Sequence, residues 1–77
     1  MPQGSQNLVG DRVKEARTKA QLTQDELSQK LAKLSVSIDR AGVAKVETGI
    51  RGVLDFELVA IAKALGVTVT WLLDVKE

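Results

Sequence analysis

Apolar residues recur along this 77-residue chain at helical spacing, in several separate stretches. In the first stretch Val9, Val13, Ala16 and Ala20 follow one another at intervals of three or four residues, which places them on one face of a helix. The residues between them are mostly charged and form the opposite, solvated face. The pattern predicts a first amphipathic helix, with Asn7 as its N-cap.

The second helix has the clearest start. Thr23 and Glu26 form a capping box, in which the threonine hydroxyl accepts from the Glu26 amide and the Glu26 carboxylate accepts from the Thr23 amide. Leu27, Leu31 and Leu34 then line one face. We therefore expect this helix to continue through Leu34.

The third helix is short and has both a start and a stop. Asp39 is a typical N-cap, and Ile38 and Val43 on either side of it predict a hydrophobic staple. Gly49 predicts the stop, because glycine readily adopts the left-handed conformation that ends a helix. The helix is therefore expected over about residues 39–48.

The fourth helix is predicted from Asp55 to Gly66, with Leu54 and Val59 as a second staple. Its sequence is apolar almost all round, so we expect it to be central and buried. A fifth, short helix follows Thr68. Five helices with short links predict an all-α, compact five-helix bundle.

The chain is long enough for one small domain. We assign residues 7–74 to it, residues 1–6 to a flexible N-terminus and residues 75–77 to a C-terminal tail. No apolar run reaches the roughly 18 residues that span a bilayer, and the N-terminus lacks the apolar region of a signal peptide. We therefore expect a cytoplasmic protein without a membrane partner.

Composition argues against catalysis. The chain has no cysteine and no histidine, which removes disulfides, thiolate ligands and the commonest general base and metal ligand. No nucleophile has a base beside it in the sequence. We therefore expect no enzyme activity, no metal and no cofactor. Residues 1–54 carry nine Lys or Arg against six Asp or Glu, and this basic excess indicates a polyanionic partner.

Three segments carry a family resemblance. LTQDELSQKL, VAKVETG and LVAIAKALGVTVTWLL, in that order, resemble the phage repressor/Cro-like (Xre-type) helix-turn-helix DNA-binding domain, and the similarity covers residues 8–73. It implies a lambda-repressor-like fold whose third helix lies in the major groove while the second crosses the DNA backbone. The implied function is that of a transcriptional regulator, a repressor, which binds a pseudo-palindromic operator in double-stranded DNA as a homodimer. No small-molecule ligand is expected.

The resemblance also assigns roles to individual residues. Those assigned to base edges are Arg40, Ala41, Ala44 and Lys45, the alanines allowing close approach and the two cations reaching guanine acceptors. Those assigned to phosphates are Thr23, Gln24 and Arg51. The dimer surface is expected near Val53, in the link after the third helix, and near Trp71.

A structural ion pair between Arg17 and Glu47 is also expected. Arg17 borders the apolar stripe of the first helix, and Glu47 lies beside apolar residues of the third helix, so both carry charge toward an apolar seam. The matching positions in the family are paired in the same way.

Two features depart from the family pattern. The segment from Thr23 to Glu47 is longer than usual by roughly five residues. The exposed face of the third helix lacks the Gln, Asn or Ser that often contact bases, and Gly42 costs about 0.5–1 kcal/mol relative to alanine in a helix. This sparse face leaves open an alternative function: a protein-interaction module, such as an antitoxin or an adaptor, that retains the fold.

Overall fold

The computed structural model describes residues 8–74, which form five α-helices and no strand. The helices are α1 (Gly10–Lys19), α2 (Gln24–Lys33), α3 (Arg40–Glu47), α4 (Asp55–Leu65) and α5 (Val69–Leu73). The predicted all-α, five-helix fold is confirmed. Within residues 8–74 no helix is both long and apolar enough to cross a membrane.

The helix ends follow local sequence. The Thr23 hydroxyl accepts from the Glu26 amide at 3.0 Å and Glu26 accepts from the Thr23 amide at 2.8 Å, so the predicted capping box is confirmed. At α3, Asp39 accepts from the Gly42 amide at 2.7 Å. Gly49 follows α3 with φ 80°. Asn7, the predicted cap of α1, lies outside the described residues, as do the two predicted terminal segments; α1 begins at Gly10 with Val9 at its N-cap.

All five helices contribute to one apolar core. Its largest fully buried side chains are Val13, Leu27, Leu31, Val46, Ile61 and Leu72. The predicted stripe of α1 is buried at Val9, Val13 and Ala16, whereas Ala20 is exposed because it lies at the C-cap. Helix α3 packs against both α1 and α2, and this packing fixes which of its faces remains open.

The end of α2 differs from the prediction. Helix α2 stops at Lys33, and Leu34 is its C-cap, with 41% of its surface exposed. Ser35 has φ 66°, which turns the chain out of the helix. The link between α2 and α3 is fastened to the domain because the Ser28 hydroxyl donates to the Ile38 carbonyl at 2.6 Å.

Helix α4 also differs from the prediction, because it is not buried all round. Its inner face buries Ala60, Ile61 and Leu65, but Phe56 and Val59 are 57% and 49% exposed. The expected staple between Leu54 and Val59 is not a buried one, since Leu54 is 57% exposed. Residues on both faces are apolar, so the pattern alone did not show which face is covered.

Candidate nucleic-acid interface

Helix α3 exposes to solvent a small face that carries few long side chains. Packing buries Val43, Val46 and Glu47 on its inner side. Arg40 and Lys45 are exposed on the outer side. A helix of this length with one side fully engaged can offer only two turns of open surface to a ligand.

The outer face of α3 carries mostly small residues, whose side chains project little from the helix backbone. Ala41 is exposed, and Gly42 and Ala44 are partly buried. None of these three side chains extends beyond a methyl group, so a partner can approach the α3 backbone closely. The major groove of DNA is wide enough to accept a helix presented in this way.

The two long cations of this face have no partner in the part of the chain that the structure describes. Neither the Arg40 guanidinium nor the Lys45 ammonium makes a hydrogen bond or ion pair there. Within residues 8–74, Arg12, Arg17, Lys19 and Arg51 are each paired with a carboxylate, whereas Lys14, Lys30, Lys33 and Lys63 have no ion pair, like Arg40 and Lys45. Arg40 and Lys45 are therefore available to an external anion or acceptor.

The start of α2 carries two of the residues assigned to phosphates. The Thr23 hydroxyl and amide are both used in the capping box. The first bond along α2 runs from the Leu27 amide to the Thr23 carbonyl at 3.0 Å. The amides of Gln24 and Asp25 precede it, and such first-turn amides favour an anion.

Glu47, the last residue of α3, is a buried meeting point of three elements. Its carboxylate accepts from Arg17 Nε of α1 at 2.6 Å and from Arg17 Nη2 at 3.1 Å. It also accepts from Gln24 Nε2 of α2 at 3.1 Å. Arg17 is completed by donation to the Leu22 carbonyl at 2.7 Å. The structure thus contains the expected Arg17–Glu47 ion pair, and in addition joins Gln24 to it.

This ion pair is shielded from solvent. The side chains of Arg17 and Glu47 are 11% and 2% exposed. The hydrogen bonds from Arg17 to Glu47 raise the pKa of the guanidinium, so Arg17 keeps its charge. Because a buried charge without its partner is costly, each residue depends on the other.

Arg51 lies in a second, unexpected ion pair. Its Nη1 and Nη2 donate to the two carboxylate oxygens of Glu57 at 3.0 and 2.9 Å, and Nη1 also donates to the Gly52 carbonyl at 2.9 Å. Glu57 accepts from the Leu54 amide at 3.0 Å as well, and so holds the first turn of α4. The hydrogen bonds from Arg51 lower the pKa of Glu57, against the opposing effect of burial.

A comparison with protein families decides what this arrangement is. A family model described as helix-turn-helix matches residues 13–72, which includes all of α2, α3 and α4. The chain belongs to the phage repressor/Cro-like (Xre-type) helix-turn-helix family. No individual curated protein matches the chain. The family is a DNA-binding one, and the chain is a DNA-binding regulator in that general sense.

The helix-turn-helix domain also exposes an apolar surface beside the end of α3. We call Ile50, Leu54, Phe56 and Val59 the link surface; their exposed fractions are 63%, 57%, 57% and 49%. Phe56 and Val59 are three residues apart and therefore lie on the same side of α4. Large apolar side chains are therefore exposed in and beside the first turns of α4.

Trp71, the other residue expected near a dimer surface, is already partly engaged. It is half-buried in α5 and packs against the core. The Arg12 guanidinium lies 4.5 Å from the centre of its ring and also bonds Asp74 at 2.6 Å. The contacts of Trp71 are therefore those of a residue that joins α5 to α1.

Sequence reasoning missed three contacts of the interface: Gln24 with Glu47, Arg51 with Glu57, and Ser28 with the Ile38 carbonyl. The contacts of Gln24 with Glu47 and of Ser28 with Ile38 join residues that are far apart in sequence, so no local spacing predicts them. The contact of Arg51 with Glu57 had no sign in the sequence, because the position of Glu57 three residues after Leu54 predicts only its hydrogen bond to the Leu54 amide.

Proposed function

We propose that this chain is a transcriptional repressor that binds specific double-stranded DNA with α3 in the major groove. The single observation that carries the proposal is the outer face of α3. This face carries small side chains that project little from the backbone. It also carries two cations, Arg40 and Lys45, that have no partner in the described part of the chain. A role on DNA places the protein in the cytoplasm and needs no catalysis.

In this proposal the cations of α3 read bases. Arg40 lies in the first turn and reaches a base edge, most simply the two acceptors of a guanine. Lys45 lies five residues later, about 140° around the helix axis from Arg40, and reads a second base from the other edge of the exposed face. Ala41 and Ala44 contribute by allowing the backbone close to the groove, and their methyl groups can contact a thymine methyl.

Phosphate contacts fix the position of the domain on DNA. Thr23 and Gln24 contribute the first turn of α2, where the helix dipole and the early amides favour an anion. Arg51 contacts a phosphate beyond the end of α3, while Glu57 holds its guanidinium in place. Such contacts raise affinity for every sequence alike.

A homodimer on a pseudo-palindromic operator completes the proposal. One α3 offers few base contacts, and two copies on half-sites about one helical turn apart double them. The link surface, next to Val53, supports this role. It comprises four exposed apolar side chains, whereas a standard interface involves about 20–30 residues a side. A stable interface buries about 800 Å² per partner. The dimer is therefore weak when free and forms on DNA.

The dimer proposal has a matched pair of variants. Phe56→Ser removes the largest side chain of the link surface, and Leu34→Ser makes a similar change at an exposed site after α2. In sedimentation with a two-half-site duplex, we expect the parent and Leu34→Ser proteins to load two copies together and Phe56→Ser to load them independently. A parent complex with strictly one protein per operator would contradict the proposed dimer.

The sparse face of α3 favours one alternative, a protein-interaction module such as an antitoxin or an adaptor. Salt-titrated binding to random-sequence duplex DNA separates the two functions. A protein that neutralises several phosphates should lose affinity by orders of magnitude between about 50 and 200 mM salt. Binding that is absent at low salt, or that does not respond to salt, would overturn the DNA proposal in favour of the alternative.

A further inference from the structure

Gln24 stands between the buried ion pair and the open surface. Its Nε2 donates to Glu47 at 3.1 Å, and this is its side chain's one hydrogen bond in the described part of the chain. Gln24 is partly exposed, whereas the Glu47 side chain is 2% exposed. One end of this contact is therefore fixed inside the domain, and the other reaches its surface.

The chemistry of the contact fixes the orientation of the Gln24 amide. An ionised carboxylate only accepts hydrogen bonds, so Glu47 must face the NH₂ group of Gln24 and not its carbonyl oxygen. An amide nitrogen carries two N–H bonds. Glu47 takes one of them, which leaves the second N–H held in a set direction and ready to donate.

The charges of Arg17 and Glu47 also favour donation from Gln24 to an anion. A lone carboxylate next to a phosphate site would repel the phosphate, but Glu47 is neutralised by Arg17 through bonds of 2.6 and 3.1 Å. The Arg17–Glu47–Gln24 cluster therefore presents a donor without a net negative charge. Because Glu47 ends α3 and Gln24 begins α2, the cluster also fixes one helix relative to the other.

We infer that Glu47 is a positioning residue for DNA binding: it holds the Gln24 amide so that its second N–H meets a DNA phosphate. Glu47 touches no DNA itself. The inference rests on the proposed function and adds to it a coupling between the end of α3 and the phosphate contact of α2.

The test is a double-mutant cycle in affinity for a short random-sequence duplex at low salt. One background is the parent. The other is Arg17→Met/Glu47→Leu, which replaces the buried pair by apolar side chains of similar size, a change that buried pairs often tolerate. Gln24→Ala is then made in both. Gln29→Ala is the matched control, because Gln29 is also on α2 and also donates to a carboxylate, that of Asp25 at 2.9 Å, but on an exposed face.

We expect Gln24→Ala to weaken binding by about ten- to a hundredfold in the parent, the usual effect of one hydrogen bond to a charged group. In the apolar background the same change should cost less than twofold, and Gln29→Ala should cost less than twofold in either. Equal losses from Gln24→Ala in the two backgrounds, or no loss in the parent, would overturn the inference.

A second measurement covers the case in which the apolar background does not fold. In nitrogen–proton correlation spectra of the parent, addition of the duplex should shift the side-chain NH₂ resonances of Gln24 far more than those of Gln29. Equal or absent shifts at Gln24 would contradict the inference. Failure of the proposed function looks different, because the parent itself would then show no salt-dependent DNA binding.

Discussion

Gly42 provides a sharp test of how α3 is built. Helix propensity alone predicts that Gly42→Ala stabilises the domain by about 0.5–1 kcal/mol. The structure predicts the opposite. A Cβ at this position would lie 2.8 Å from Ile38 Cγ2 and 3.1 Å from Asp39 Oδ1. Two carbons are most favourable at about 3.5–4.0 Å.

The neighbours of Gly42 cannot move easily. Ile38 is 4% exposed, and its carbonyl accepts from Ser28 at 2.6 Å. Asp39 is engaged as the cap of α3. Overpacking of this kind costs about 1–3 kcal/mol. Subtracting the gain in propensity leaves a net loss of about 1 kcal/mol, which corresponds to a fall in Tm of roughly 4–8 °C for a domain of this size.

The assay is urea unfolding followed by circular dichroism, with Ile38→Leu as the second background. Leucine lacks the branch at Cβ that supplies Cγ2, so the closer of the two contacts should disappear. We expect Gly42→Ala to lower the urea midpoint in the parent and to leave it unchanged or raise it in the Ile38→Leu protein. A parent-background Gly42→Ala protein that is more stable than the parent would refute the packing account of this glycine.

Two further predictions concern the ion pairs. Glu47→Ala should lower the free energy of unfolding by about 3 kcal/mol, because it leaves the buried Arg17 without its partner. The double change Arg17→Met/Glu47→Leu should lower it much less. Equal urea midpoints for Glu47→Ala and the parent would show that the pair is solvated. The pKa of Glu57 is lowered in the fold by Arg51, so the stability that this pair contributes is present above the ordinary glutamate pKa of about 4.3 and is lost as the pH falls toward the folded value. Glu57→Gln should therefore lose less stability than the parent between about pH 5 and 3 in urea titrations, and a parent-like slope would contradict the shift.

Features set by neighbouring residues could be predicted from the sequence. The caps at Thr23 and Asp39 and the stop at Gly49 each depend on a few adjacent positions, and the structure contains all three. The exposure of Phe56 could not be predicted, because α4 is apolar on both sides and only the packed bundle covers one of them. Leu34 was misplaced for a similar reason, since its spacing continues the α2 stripe while the left-handed Ser35 ends the helix.

The residues of the candidate site also divide into those that the sequence predicts and those whose contacts only the packed structure shows. Arg40 and Lys45 follow from the family resemblance, and the structure adds that neither has a partner within residues 8–74. The link from Gln24 to Glu47 crosses 23 positions of sequence and exists only because α3 packs against α2. Tertiary contacts of this kind decide which donors remain for DNA, and a single sequence does not contain them.

The central claim is that α3 reads bases in the major groove. The most direct measurement is the affinity of the parent and of the Arg40→Ala protein for every single-base variant of a site selected from a random DNA pool. We predict that Arg40→Ala removes about 1–3 kcal/mol of discrimination at one position of each half-site and leaves preference elsewhere intact. A uniform loss over all variants would make Arg40 a phosphate contact. Binding unchanged by both Arg40→Ala and Lys45→Ala would contradict the claim.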